Sequence, residues 1–353
     1  MALDVTGPYR YPAPRPAWLA LHEEAILDPG QPIIDPHHHL WVQDGVPYLR
    51  DEIAADLASG HDVRATVFVE AHYAYRETGP DRLRPVGETE SVVAIAEAAR
   101  AAGVRTAIAA GMVVHADLRL GEKVEEVIEA HLAAAQGSLR GVRQSFARDE
   151  HFPDGIVLRP APPGMLATPE VRAGLGVLAR LGLSFDAMLY HAQLPELTAV
   201  AQSLPRLRIV LDHLGCPLGI GPYQTQPENI FAAWRHDIEA LARCPNVVVK
   251  LGGLGMIITG ARHHDRPVPP GSAELAARWR PWFATCIEAF GAARCMFESN
   301  FPVDKAMFSY AVAWNAFKRI AADASADEKA ALFHDTAART YSLPQLISEE
   351  NSD

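Results

Sequence analysis

Ile33-Ile34-Asp35-Pro36-His37-His38-His39-Leu40-Trp41 sets two β-branched residues ahead of a polar burst. In a strand, alternate side chains share a face, so Asp35, His37 and His39 are expected to point one way and Pro36 and His38 the other. Two imidazoles at i and i+2 on the end of a strand can grip one metal ion from a single rigid element. The same spacing also suits a His-rich turn, so the rest of the chain has to decide. An affinity tag is a poor reading, because the run is internal and follows an apolar strand.

Downstream, seven further apolar runs alternate with helical patterns. Strands are expected near 64–70, 104–113, 139–144, 183–190, 207–212, 246–251 and 294–298, with the first near 32–39. Helices are expected between them, and two more, near 306–321 and 326–340, close the chain. Short apolar strands buried on both faces demand a parallel sheet. Eight β/α units predict a closed (β/α)8 TIM barrel over 32–345, with residues 1–31 as an N-terminal arm packed on it and an extra C-terminal helix. The rival open sheet carries a glycine-rich phosphate loop after its first strand. None occurs here, and Gly252-Gly253-Leu254-Gly255 reads as a backbone turn after the seventh strand.

Composition narrows the class. The chain has 353 residues, 49% hydrophobic and 21% charged, enough for one large α/β domain. A net charge of −11 argues against nucleic acid as a partner, although local arginines can still hold a small anion. Cys216, Cys244, Cys286 and Cys295 form no C-x-x-C pair, which suits a reducing compartment. With no basic, apolar leader in Met1 to Arg10 and no run of about 18 apolar residues, the expectation is a soluble cytoplasmic protein. Trp279, Trp282 and Trp314 are candidates for an interface in a homo-oligomer, against the commoner fate of packing within a barrel's helical layer.

In such barrels chemistry collects at the carboxyl ends of the strands. Those ends carry His37 and His39, then Glu70 with His72 beyond it, His115, Arg143 beside Gln144, Asp186 with Tyr190 and His191, Asp212 and His213, Lys250, and Glu298 with Asn300 and Asp304. The opposite ends carry no matching set. Of Arg143 and Gln144 only one can face inward, and Arg143 is the better carboxylate clamp because of its bidentate fork. Lys250 reads as a second anion anchor or as the internal partner of an acid. His191 either joins the site or caps the helix that follows it. Asp212 is expected to face away from its neighbour His213. His151, His263 and His264 lie in polar loops and are expected at the surface.

The order of Ile33-Ile34-Asp35-Pro36-His37-His38-His39-Leu40-Trp41, Gly141-Val142-Arg143, Leu211-Asp212-His213-Leu214-Gly215 and Met296-Phe297-Glu298-Ser299-Asn300-Phe301-Pro302 resembles the amidohydrolase superfamily. The nearest branch is that of TIM-barrel hydrolases including sugar-acid and aromatic-pathway lactonases, and the resemblance spans about residues 30–345. It implies His37, His39 and His213 as metal ligands or substrate contacts, with an aspartate at the end of the eighth strand as general base. Here that position is Asn300, and an amide cannot take a proton from water. Glu298 and Asp304 are the substitutes. The bridging lysine or glutamate of two-metal members is also missing, so the resemblance implies one divalent ion, zinc before others, or none. Arg143 and Lys250 would hold an anionic substrate, with His191, Trp41 and Glu70 as further contacts. The expected reaction is opening of a small anionic lactone by carboxylate-activated water. A metal-dependent decarboxylase of a small aromatic acid and an inactive acid-binding barrel are the alternatives.

Overall fold

The computed structural model describes residues 12–152 and 160–343. Eight strands run parallel in the order β1 (Pro32–His38), β4 (Asp62–Val69), β5 (Ala107–His115), β6 (Leu139–Ser145), β7 (Ser184–Met188), β8 (Arg208–Leu211), β9 (Val247–Leu251) and β10 (Cys295–Phe297). Helices separate successive barrel strands, as the alternating pattern requires, and the protein is an almost closed (β/α)8 barrel. Closure between the last strand and the first is thin. It consists of a single bridge, His38 to Phe301, with His39 N donating to Phe301 O at 2.8 Å and Asn300 N donating to His37 O at 3.0 Å. Ile34, Val67, Val113, Val210 and Met296 pack together inside, joined by Tyr341 and Leu343 from the C-terminal segment. No helix among the described residues is long and apolar enough to cross a membrane.

Two short strands, β2 (Trp41–Gln43) and β3 (Val46–Tyr48), form an antiparallel hairpin over the barrel mouth that the sequence reading left out. The signal was present. Asp44-Gly45 occupies the tip, both at positive φ (50° and 78°), the backbone that a two-residue hairpin needs. Of the arm, Glu24 accepts from Ser272 N at 2.6 Å, and Lys318 donates to the carbonyls of Leu27 and Asp28 at 2.8 Å. Trp279 and Trp314 are buried in the helical layer, and Trp282 packs partly buried against it.

The expected alternation in β1 does not hold. Asp35 pairs with Thr66 and His38 with Phe68, so three residues of β1 span two of β4. The proline at 36 has no N–H for the ladder, and the strand bulges there. Asp35 therefore turns outward, accepting from Tyr310 OH and Ser299 N, each at 3.0 Å. His37 and His39 turn inward, while His38 meets Thr66 Oγ1 at 2.8 Å on the outer side.

Candidate active site

Three imidazoles meet at the barrel mouth, and each is fixed through its Nδ1. His39 donates to the Val69 carbonyl at 2.8 Å, His37 Nδ1 lies 2.7 Å from Glu298 Oε2, and His213 Nδ1 lies 2.6 Å from Glu298 Oε1. One buried carboxylate thus sets the tautomer of two rings. Burial alone would raise the Glu298 pKa, but His213 and His37 outweigh it and hold the group near 2. It stays ionised beneath the pocket, a positioning group with little affinity for a proton. With each Nδ1 committed, the Nε2 atoms are left as acceptors; those of His37 and His39 stand 3.3 Å apart, and Arg143 Nη1 stands 3.3 Å from that of His37. Burial, reinforced by Lys250, holds His37 well below its usual value, and burial with Arg143 holds His39 near 3. Both are neutral at working pH. His213 is raised, because Glu298 outweighs the effect of burial.

Below them an ionic column runs along the barrel axis. Tyr341 OH donates to Asp186 Oδ2 at 2.6 Å, Lys250 Nζ reaches Asp186 at 2.9 Å and Asp212 at 3.0 Å, and Asp212 lies 3.6 Å from His37 Nδ1 and 3.5 Å from Arg143. Lys250 is fully buried here and does not reach the pocket wall, so the substrate contact expected of it is replaced by the internal acid partnership. Asp212 also departs from expectation. β8 ends at Leu211, and His213 and Leu214 adopt positive φ (52° and 46°), so strand alternation has lapsed and both Asp212 and His213 turn inward. His263 is buried (5% exposed) rather than at the surface.

The pocket above has a volume of about 320 Å³, with walls that include His39, Trp41, Glu70, Arg143, His213 and Asn300. Trp41 stacks on His39 at 5.2 Å between ring centres. Arg143 is held from behind by Glu70, whose Oε1 accepts from Nε at 2.7 Å and whose carbonyl accepts from Nη2 at 2.5 Å, leaving Nη1 3.3 Å from His37 Nε2. Gln144 faces away and binds Leu118 N at 2.9 Å. His191 does not line this pocket. Its Nδ1 accepts from Leu218 N, in the loop after β8, at 3.3 Å, so it does not cap the helix that follows it either. Residues 153–159, between β6 and β7, lie outside the described residues.

Asn300, at positive φ (55°), donates from its amide to Asp304 Oδ1 at 2.9 Å, and Gly255 N donates to Oδ2 at 3.0 Å. Burial nevertheless pushes Asp304 up to about 7, with His213 pulling weakly the other way. The turn after β9 proves to be a wall of the site. A Cβ on Gly252 would meet Glu298 Cγ at 2.4 Å, one on Gly253 would meet His213 Nδ1 at 2.5 Å, and one on Gly255 would meet Asp304 at 2.8 Å. Gly253 also has φ +69°. Gly253→Ala is therefore expected to displace His213 and cost at least ~1–3 kcal/mol of stability, read by denaturant unfolding. An unchanged midpoint would show that the loop yields freely.

The donor set suits a divalent cation. Donor atoms of His37, His213 and Asp212 all lie within 4.8 Å of one another. Among the described residues, Glu70, Asp186, Asp212 and Glu298 face two fixed cations, Arg143 and Lys250. The excess negative charge can be balanced by protons on imidazole or by one ion. Asp212 touches Lys250 without a well-aligned hydrogen bond, which leaves lone pairs over. Ring nitrogens anchored to carboxylate or carbonyl are also the usual support of metal-ligating histidines.

Comparison with known proteins agrees with this geometry. The chain is 33% identical over 332 residues to an uncharacterized protein, y4mH, of Sinorhizobium fredii, covering 88% of this chain and 98% of that one. It is 27% identical to an L-fucono-1,5-lactonase of Burkholderia multivorans, covering 88% of this chain and 96% of the relative. A crystal structure of an amidohydrolase from Burkholderia multivorans with bound zinc, 24% identical, superposes with a TM-score of 0.67 over 88% of this chain and 99% of that one. The amidohydrolase family model matches residues 34–343, and the chain belongs to that family.

Proposed function

We propose that the protein is a lactonase that opens the ring of a small anionic lactone. The observation that carries this reading is the set of three Nδ1-anchored imidazoles beside an arginine whose Nη1 points at them. The ring lone pairs of such a cluster can hold a divalent ion that would polarise an ester carbonyl, and the guanidinium can hold an anionic group of the substrate. The lactonase relatives support the choice of a cyclic ester.

In this reading Arg143 binds the substrate's anionic substituent and Trp41 covers the ring. Water adds to the ester carbonyl, and its proton passes to Asp304, which lies behind the pocket wall where it accepts from Asn300, and whose pKa of about 7 suits a base near neutrality. The ring C–O bond then breaks, and its oxygen takes the proton back, giving a hydroxy acid. Glu298 keeps two of the rings in register throughout. His37, His213 and Asp212 would hold a divalent ion, zinc by donor type, and it would supply Lewis-acid polarisation of the carbonyl.

A panel of sugar-acid and aromatic-pathway lactones, followed with a pH indicator, tests the activity. Acid release on at least one of them is expected. Release of CO2 from hydroxybenzoic acids with no lactone turnover would replace this reading by the decarboxylase. For the clamp, Arg143→Lys loses the Nη1 group that faces the site together with the two-point hold on Glu70. KM for an anionic lactone should rise at least ~10-fold while a neutral lactone is affected less. Equal effects on both would remove Arg143 from that role.

A further inference from the structure

Glu70, His72 and His115 stand on the rim of the same mouth, and none of them has a part in the reaction above beyond Glu70's support of Arg143. Glu70 directly follows β4, His72 comes two residues later at positive φ (58°), and His115 ends β5. His115 pairs in register with Arg143 on the adjacent strand, which brings its ring to the mouth. One donor atom from each of the three lies within 4.8 Å of the others. The His72 and His115 rings meet edge to face, 4.8 Å apart.

The Glu70 carboxylate is 2% exposed. Its Oε1 is taken by Arg143, but its Oε2 has no hydrogen-bond partner among the described residues, and His72 Nε2 stands 3.4 Å from it. A buried anionic oxygen left in this state is costly unless something positive joins it. His72 has the support of a ligand, since its Nδ1 meets Tyr75 OH at 2.6 Å and its Nε2 is turned toward Glu70. Both histidines are half-buried, which gives an ion a way in and leaves room for water on its open side.

We propose that Glu70, His72 and His115 form a second metal site, selective for a borderline divalent transition ion such as Zn²⁺ or Co²⁺. Two imidazoles and one carboxylate with open positions are a donor set for such ions, and too poor in oxygen for Ca²⁺ or Mg²⁺. The site shares Glu70 with Arg143, one oxygen facing the guanidinium and the other facing the ion. Occupancy of the rim is thereby linked to the position of the arginine. The proposal stands on this geometry and does not depend on which ester is cleaved.

The test is Co²⁺ titration of the full-length chain after chelator treatment, followed by visible absorption and by metal analysis after desalting. His72→Ala and His115→Gln are each expected to lose one equivalent of Co²⁺ relative to wild type, with circular dichroism confirming the fold. Tyr75→Phe, which keeps all three ligands, should weaken the same equivalent by ~10–100-fold. Anomalous scattering from Zn²⁺-soaked crystals should place an ion between the three side chains. Unchanged stoichiometry and affinity in these variants, no binding by wild type, or anomalous density confined to His37 and His213 would each overturn the proposal. Lactone turnover enters none of these readings, so failure of the proposed reaction and failure of this site remain separable.

Discussion

Asp304→Asn should lower turnover on a responsive lactone by ~10²–10⁴-fold, the usual worth of a positioned general base. Its pH profile should change as well. With Asp304 near 7, the wild-type rate requires the carboxylate form, so kcat/KM is lost as pH falls through about 7 and is full above it. The asparagine variant has no such group, and its residual rate should lack that limb. The isosteric amide still offers Gly255 N an oxygen to bind, so the turn after β9 keeps its partner. Retention of the acidic limb in the variant would transfer the base to another residue. His213 would be first in line, since it lines the pocket and has a raised pKa. Glu298 is a weaker candidate, because two imidazoles already hold it ionised near 2.

Lys250→Met should be the most destabilising substitution in the barrel, at ~3–5 kcal/mol. The ammonium is fully buried between Asp186 and Asp212, at 2.9 and 3.0 Å. Burial alone would lower its pKa, but the two carboxylates outweigh that and hold it charged. Methionine fills a similar volume and leaves both acids without their shared cation. Asp186, whose pKa burial already raises, is the readier of the two to take up a proton. The deficit should therefore be largest at neutral pH and shrink as pH falls and the carboxylates neutralise. Urea midpoints of wild type and variant at two pH values measure it. A loss below ~1 kcal/mol at neutral pH would mean that the column carries no net ionic stabilisation.

Most of the architecture was legible because its signal is local. Apolar runs separated by amphipathic stretches locate the eight barrel strands to within a few residues, and polar residues at their carboxyl ends mark the mouth. What escaped the sequence depends on breaks in periodicity. Pro36 shifts Asp35 to the outer face, and the left-handed backbone at His213 brings Asp212 inward with it. Neither follows from a period of two. The fate of Lys250 was one of two readings, and only burial chose between them. Gly252, Gly253 and Gly255 were visible as a turn, yet their service to Glu298, His213 and Asp304 is a matter of distances between β9, β8 and β10.

The thin closure of the barrel has a consequence for biogenesis. His37 and His39 are made within the first ninth of the chain, and Glu298, Asn300 and Asp304 only in its last sixth. They meet where β1 is joined to the segment after β10 by one bridge and a few backbone bonds. A nascent or truncated chain lacking β10 would keep seven strands and its histidine pair, but Glu298 would not yet be there to orient them. Catalytic competence should thus appear only when the two ends of the sequence join, so that a half-made barrel is an inert one.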